Sequence, residues 1–128
     1  MDVVGRETMV TLTSTSAVRW LAPELTYWEE AVFTMSSDIF AFGMTILELL
    51  TLKLPYSYRK RDFKVIQDLQ ERRLPLRPEE PEAMPWMTDG LWATVHDKCW
   101  AIQPEDRVAI AELSLYLEEV SASLRSNS

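Results

Sequence analysis

The chain has 128 residues, 47% hydrophobic and 26% charged, enough for one domain with a real core and too few for two. Its net charge of −7 excludes a general nucleic-acid binder, whose affinity needs clustered cations. A single cysteine, Cys99, excludes an internal disulfide and fits a reducing compartment, so a cytoplasmic protein is expected.

The first residues, MDVVGRETMVTL, have neither a basic start nor an apolar core, so a secretory signal finds no support. Residues 1–16 end in TLTSTS, hydroxyl-rich and without apolar periodicity. We expect them to be extended or disordered, with phosphorylation as a regulatory option. Pro23 suits the first turn of a short helix running to residue 30, because its missing N–H would be unpaired there in any case.

Ser36, Ser37 and Asp38 are good N-cap residues and predict a helix over about 38–51. Ile39, Phe40, Phe42, Met44, Ile46, Leu47, Leu49 and Leu50 leave it no polar face, which places it at the centre of a domain. Thr45, Glu48 and Thr51 interrupt the run, and it is too short to cross a bilayer, so no membrane span is expected. Gly43 costs this helix about 1 kcal/mol against alanine, and close approach of a neighbouring backbone is the plausible return.

A third helix over about 61–73 carries Phe63, Ile66 and Leu69 on one face. The stretch 59–77 holds seven basic residues (Arg59, Lys60, Arg61, Lys64, Arg72, Arg73, Arg77) against three acidic ones (Asp62, Asp68, Glu71), and so carries +4 in an acidic chain. Either it is a solvated face laced with opposite-sign pairs, or it docks an acidic partner. Pro75, Pro78, Pro81 and Pro85 make the next segment a surface loop. Thr88 or Asp89 can cap a helix reaching Trp100, with Leu91, Val95 and Cys99 stacked along it. A last helix over about 108–124 shows Ile110, Leu113, Leu117, Val120 and Leu124 at steps of three and four. With no sustained strand alternation, the expected class is all-α.

Motifs that do chemistry by themselves are missing. Gly5, Gly43 and Gly90 are too scattered to form a phosphate-cradling loop. His96 has no second His or Cys at ligand spacing, so no metal site is expected. No serine sits in a G-x-S-x-G elbow. Glu79, Glu80 and Glu82 lie in the proline-rich loop, where a solvated run is the simpler reading than an acid/base pair.

Taken together, VRWLAPE (18–24), SDIFAFGMTILELLT (37–51), LPY (54–56) and CWAIQPEDR (99–107) resemble, in order and spacing, the C-terminal lobe of a eukaryotic protein kinase of the tyrosine-kinase or tyrosine-kinase-like group. The resemblance covers about 16–120 and divides the chain into an activation-segment remnant (1–16), a partial kinase domain (17–124) and a tail (125–128). It implies an ion pair between Glu24 and Arg107, 83 positions apart. It implies an aspartate, Asp38, that opens the central helix and accepts hydrogen bonds from the catalytic-loop backbone. It matches Gly43 and Trp100 to family positions in the core, and assigns substrate binding to Ala17, Val18, Arg19 and Trp20. Ser16 and Ala17 depart from the family pattern, where a Ser/Thr kinase usually has Gly-Thr and a tyrosine kinase proline at 17; Leu52 stands where glycine is usual and Val108 where proline is.

By the same resemblance, the glycine-rich loop, the strand-three lysine, the HRD loop and the DFG aspartate would lie before Met1. No cofactor is therefore expected in this chain, ATP and Mg belonging to a complete parent, and the chain alone should not transfer phosphate. The partners implied are a protein substrate or a regulatory protein. An apolar patch left on Phe40, Met44 and Leu47 would offer self-association. The alternative function is a noncatalytic, pseudokinase-like module docking partners through 59–77, with an unrelated helical adaptor as a third.

Overall fold

The computed structural model describes residues 16–27 and 32–126. The expectations for 1–15, for the end of the Pro23 helix at 28–30, and for residues 127 and 128 lie outside that range. Among the described residues the regular elements are all helical. Two short 3-10 turns, Ser16–Trp20 and Pro23–Thr26, precede four helices: α1, Met35–Thr51; α2, Asp62–Gln70; α3, Asp89–Ala93, which continues as a π-helical turn, Thr94–Cys99; and α4, Ile110–Ser126. A third 3-10 turn, Pro104–Asp106, leads into α4.

Helix α1 starts earlier than its serines suggest. Thr34 is the N-cap: its Oγ1 accepts from the Ser37 N–H at 3.1 Å, while the Ser37 Oγ accepts from the Thr34 N–H at 2.8 Å. This reciprocal pair satisfies two orphan donors at once, which a cap at 36–38 would not. Asp38 is consequently inside the first turns and caps nothing. The helix ends at Leu52, held left-handed at φ 56°, whose N–H donates to the Glu48 carbonyl at 2.7 Å. A non-glycine residue in this conformation costs on the order of 1 kcal/mol, the penalty of having leucine where glycine is usual.

Ile39, Phe40, Gly43, Met44 and Leu47 of α1 are buried against the 3-10 turns and the π turn. The expectation that Phe40, Met44 and Leu47 would be left open is corrected: they are 0%, 0% and 5% exposed. The uncovered residues are Met35, Phe42 and Leu49, one line along the helix at intervals of seven. Helix α2 buries Val65, Asp68 and Leu69 and leaves Phe63 on the surface. The face is rotated from the one read off its apolar residues, with buried Asp68 held by the half-exposed Arg59 at 2.7 and 2.9 Å.

Thr88 caps α3, its Oγ1 accepting from the Leu91 N–H at 3.2 Å, and Leu91, Val95 and Cys99 are all buried. The π turn, closed by Trp100 N–H to the Val95 carbonyl at 3.0 Å, brings Trp100 fully under α1. In α4 only Leu113 is fully buried; Leu117, Val120 and Leu124 are half-buried and Ile110 faces outward. The proline-rich loop is pinned by Pro75, Ala83 and Met87 but presents Leu76, Met84 and Trp86 to solvent.

Candidate functional site

Arg107 sits in the extended chain before α4 with its side chain completely enclosed. Its Nη1 and Nη2 donate to Oε2 and Oε1 of Glu24 at 2.7 and 2.8 Å, a bidentate fork. The remaining N–H groups donate to the carbonyls of Ser36 (3.1 Å), Ala101 (2.8 Å) and Ile102 (3.2 Å). All five guanidinium donors are thus used. The face of the guanidinium lies 4.9 Å from the Phe40 ring centroid, a cation–π contact in a desolvated setting. One side chain therefore joins the Pro23–Thr26 turn, the start of α1 and the loop after the π turn.

Gly43 explains how these parts fit. A Cβ at this position would stand 2.6 Å from Trp100 Nε1 and 3.0 Å from Cys99 Cβ, so only glycine admits the indole against the helix. Trp100 also meets Phe40 (centroids 6.3 Å) and Trp92 edge-on (5.7 Å), while its Nε1 has no hydrogen-bond partner among the described residues. Burial alone pushes the neighbouring Cys99 thiol up to about 12.

The segment 17–20 is sorted by burial. Val18 and Arg19 are 0% and 4% exposed, so both side chains point into the core, whereas Ala17 and Trp20 are half-buried. Arg19 reaches inward across more than thirty positions. Its Nη1 donates to the Pro55 and Tyr56 carbonyls at 3.1 and 2.9 Å, its Nη2 to the Arg59 carbonyl at 2.8 Å, and its Nε to Asp62 Oδ1 at 3.0 Å. The motif reading placed Arg19 among the ligand-binding residues and gave no hint of this role; four acceptors from one loop, 55–62, carry no sequence signature. The same loop is closed by the buried Asp68, which accepts from Arg59, and by Tyr56, whose hydroxyl donates to the Arg73 carbonyl at 2.9 Å. Burial raises the Tyr56 phenol, and to a lesser extent that of Tyr58, while the hydrogen bond to Asp68 raises Arg59.

Beside this segment Ala17, Trp20, Leu21, Leu25, Phe33 and Ala41 line an apolar hollow of about 210 Å³, with Asp38 at its rim. The Asp38 carboxylate is exposed and accepts no hydrogen bond among the described residues. A larger apolar hollow, about 520 Å³, lies on its other side between Met35, Phe42 and Ile110. Asp38 is thus an open acceptor standing between two apolar recesses. His96 pairs with its neighbour Asp97 at 2.9 Å and touches the Trp92 ring.

Comparison with known proteins agrees with this arrangement. The chain is 30% identical over 105 residues to the putative neurotrophin receptor LTRK 1 of Lymnaea stagnalis, covering 81% of this chain and 12% of the receptor. It is 32% identical over 118 residues to the serine/threonine-protein kinase STY17 of Arabidopsis thaliana, covering 91% and 19%. With the inactive tyrosine-protein kinase 7 of Homo sapiens it shares 33% over 100 residues, covering 76% and 8%. It therefore spans less than a fifth of the length of each of these relatives. Residues 4–117 match the family model described as protein tyrosine and serine/threonine kinase, a span that holds the fork, the glycine under the indole and all of α1 to α3. The chain belongs to the protein tyrosine and serine/threonine kinase family, and its described residues form the helical C-terminal part of the kinase domain.

Proposed function

We propose that residues 17–124 are the substrate-side lobe of a protein kinase, holding a protein substrate for phosphoryl transfer while ATP and Mg are bound by residues other than these. The observation that carries this reading is the Glu24–Arg107 fork, which fixes the 17–20 segment to the far end of the helical bundle at 2.7 and 2.8 Å. Beside that segment, the open carboxylate of Asp38 between two apolar recesses suits an incoming loop that presents backbone N–H groups. Ala17 and Trp20, with the backbone of Val18 and Arg19, would face the substrate. Its hydroxyl is that of a serine, threonine or tyrosine.

Among the described residues none compose a site suited to ATP and Mg. Gly43 is buried inside α1 and Gly90 stands exposed in the first turn of α3, so neither belongs to a phosphate loop, and among the described residues no three acidic, His or Cys side chains converge on a cation. Phosphoryl transfer depends on such positioning and metal electrostatics, so the isolated chain is inactive in our reading. The test is to incubate the purified chain with radiolabelled ATP, Mg and tyrosine- and serine-containing polypeptides. We expect no incorporation and no nucleotide-induced thermal shift. Incorporation above that of an Asp38→Asn control would overturn the assignment.

A noncatalytic module that binds a regulatory protein is the second reading, favoured by Ala17, Leu52 and Val108, which depart from the usual residues, and by likeness to a relative named as inactive. Sequencing the transcript upstream of Met1 separates the two. An in-frame nucleotide loop, lysine, HRD and DFG would support the enzyme; an in-frame sequence lacking them would support the module. Among the described residues no helix is long and apolar enough to cross a membrane, and the lone buried thiol is compatible with a cytoplasmic setting.

A further inference from the structure

We infer that the beginning of α2 is a docking surface for an acidic segment of a partner protein, contacted by Lys60, Arg61 and Lys64 around the exposed ring of Phe63. The basic stretch 59–77 does not act as one face. Arg59 is used by Asp68 at 2.7 Å, Arg73 by Glu71 at 3.2 Å and by Asp68 at 3.8 Å, and Arg77 by Asp89 at 2.8 Å and the Met87 carbonyl at 2.9 Å. Arg72 lies past the other end of the helix. Lys60, Arg61 and Lys64 are exposed and form no ion pair among the described residues.

A solvated face laced with opposite-sign pairs does not account for these three cations. The acids that would serve are already committed: Asp62 to Arg19 at 3.0 Å, and Asp68, four residues after Lys64, to Arg59 from a buried position. Nor do the cations help the helix, since positive charge is unfavourable at the N-terminal end of the macrodipole. One large ring stands beside them unburied, Phe63 at 55%, with the Lys64 ammonium 5.4 Å from its centroid. Unpaired cations around an exposed ring fit carboxylates flanking an apolar side chain.

Charge also selects the kind of polyanion. The chain as a whole is at −7, so a long polyanion such as RNA is repelled by everything outside the patch, while a short acidic segment meets only the patch. The inference stands whether the parent transfers phosphate or only binds.

The test uses the full chain and a fluorescein-labelled twelve-residue peptide of Asp and Glu with a central Leu-Phe pair, read by anisotropy at low salt. Lys60→Glu/Lys64→Glu should weaken binding about tenfold, as loss and reversal of two exposed pairs implies. Lys98→Glu/Arg125→Glu, an equal charge change elsewhere, should alter it less than about twofold. Phe63→Ala should weaken the Leu-Phe peptide about threefold and leave an all-acidic peptide unaffected. No saturable binding, an equal loss in the Lys98/Arg125 control, or tighter binding of oligouridylate than of the peptide would each overturn the inference. Circular dichroism of every variant confirms that a loss is not unfolding.

Discussion

Replacing Arg107 by methionine removes five hydrogen bonds and one buried charge while keeping most of the side-chain volume. Three carbonyls, on Ser36, Ala101 and Ile102, lose a donor, at about 1 kcal/mol each when left unsatisfied. The Glu24 carboxylate is 29% exposed, so water partly rescues it and its share is smaller than for a sealed pair. The sum is about 3–4 kcal/mol, in the lower part of the range for breaking a buried ion pair. Glu24→Gln retains one acceptor oxygen but leaves an enclosed cation without its counter-charge, about 2–3 kcal/mol. With roughly 2.1 cal/mol/K of unfolding entropy per residue, the Arg107→Met loss lowers Tm by about 11–15 °C for a chain of 128 residues. Urea unfolding followed by tryptophan fluorescence measures it, since Trp100 and Trp92 lie in the same core. The double variant should cost at least about 1.5 kcal/mol less than the two singles added, because the second change removes a group the first has already stranded. Additive singles, or an Arg107→Met loss under 1 kcal/mol, would refute the claim that this fork holds the lobe together.

Gly43→Ala should destabilise by about 1–3 kcal/mol despite the better helix propensity of alanine, because its Cβ would fall 2.6 Å from Trp100 Nε1. Gly90→Ala, whose Cβ meets nothing closer than 3.9 Å, should stabilise by about 0.5–1 kcal/mol, so the two urea midpoints move in opposite directions. Thr34→Ala should cost about 1 kcal/mol as a lost cap, whereas Asp38→Ala should stay within about 0.5 kcal/mol on the same assay. Cys99, with its folded pKa raised to about 12, should resist iodoacetamide at pH 8 in the native protein and react stoichiometrically in urea. A raised acid is protonated in the folded state after it has ionised in the unfolded one. Stability is therefore full below about pH 9 and falls by about 1.4 kcal/mol per pH unit above it; the slope steepens near pH 10, where Tyr56 adds the same effect.

The helices were legible wherever local periodicity and burial coincide. The stripe Leu91, Val95, Cys99 is buried as its spacing implies, and the long apolar run is the helix that the turns and the π segment surround. What escaped were features set by partners distant in the chain. The cap of α1 went to Thr34 because Ser37 could return its hydrogen bond, a reciprocity that three adjacent cap-forming residues conceal. The inward face of α2 turned on Asp68, a charged residue that no apolar pattern assigns to a core and that is buried because Arg59 reaches it. Arg19 was placed by motif position among residues that touch a ligand, yet its guanidinium is spent on the 55–62 loop.

That inward arginine bears on how the lobe works. A kinase segment that receives substrate needs a fixed backbone more than it needs particular side chains, because the reacting hydroxyl must be held to within about an ångström. Here Arg19 ties the segment forward to the loop before α2, and Glu24, five residues on, ties it to Arg107 at the entry to α4. Between those anchors Leu21, Ala22 and Pro23 are sunk in the core, as is Val18 just before them, so the backbone of the stretch is held at both ends and from below. The loop that Arg19 grips also carries Lys60 and Arg61 on its outer side. A partner bound there would meet the same turn whose carbonyls of Pro55, Tyr56 and Arg59 receive the guanidinium, one hydrogen-bonded layer from the segment we propose to hold substrate. Arg19 is one link between them, beside the packing of α2 on the first two 3-10 turns and the Gln70 amide that donates to the Thr26 carbonyl. Arg19→Lys, which cannot span four acceptors in that geometry, should therefore loosen the 55–62 loop, read as faster amide hydrogen exchange there.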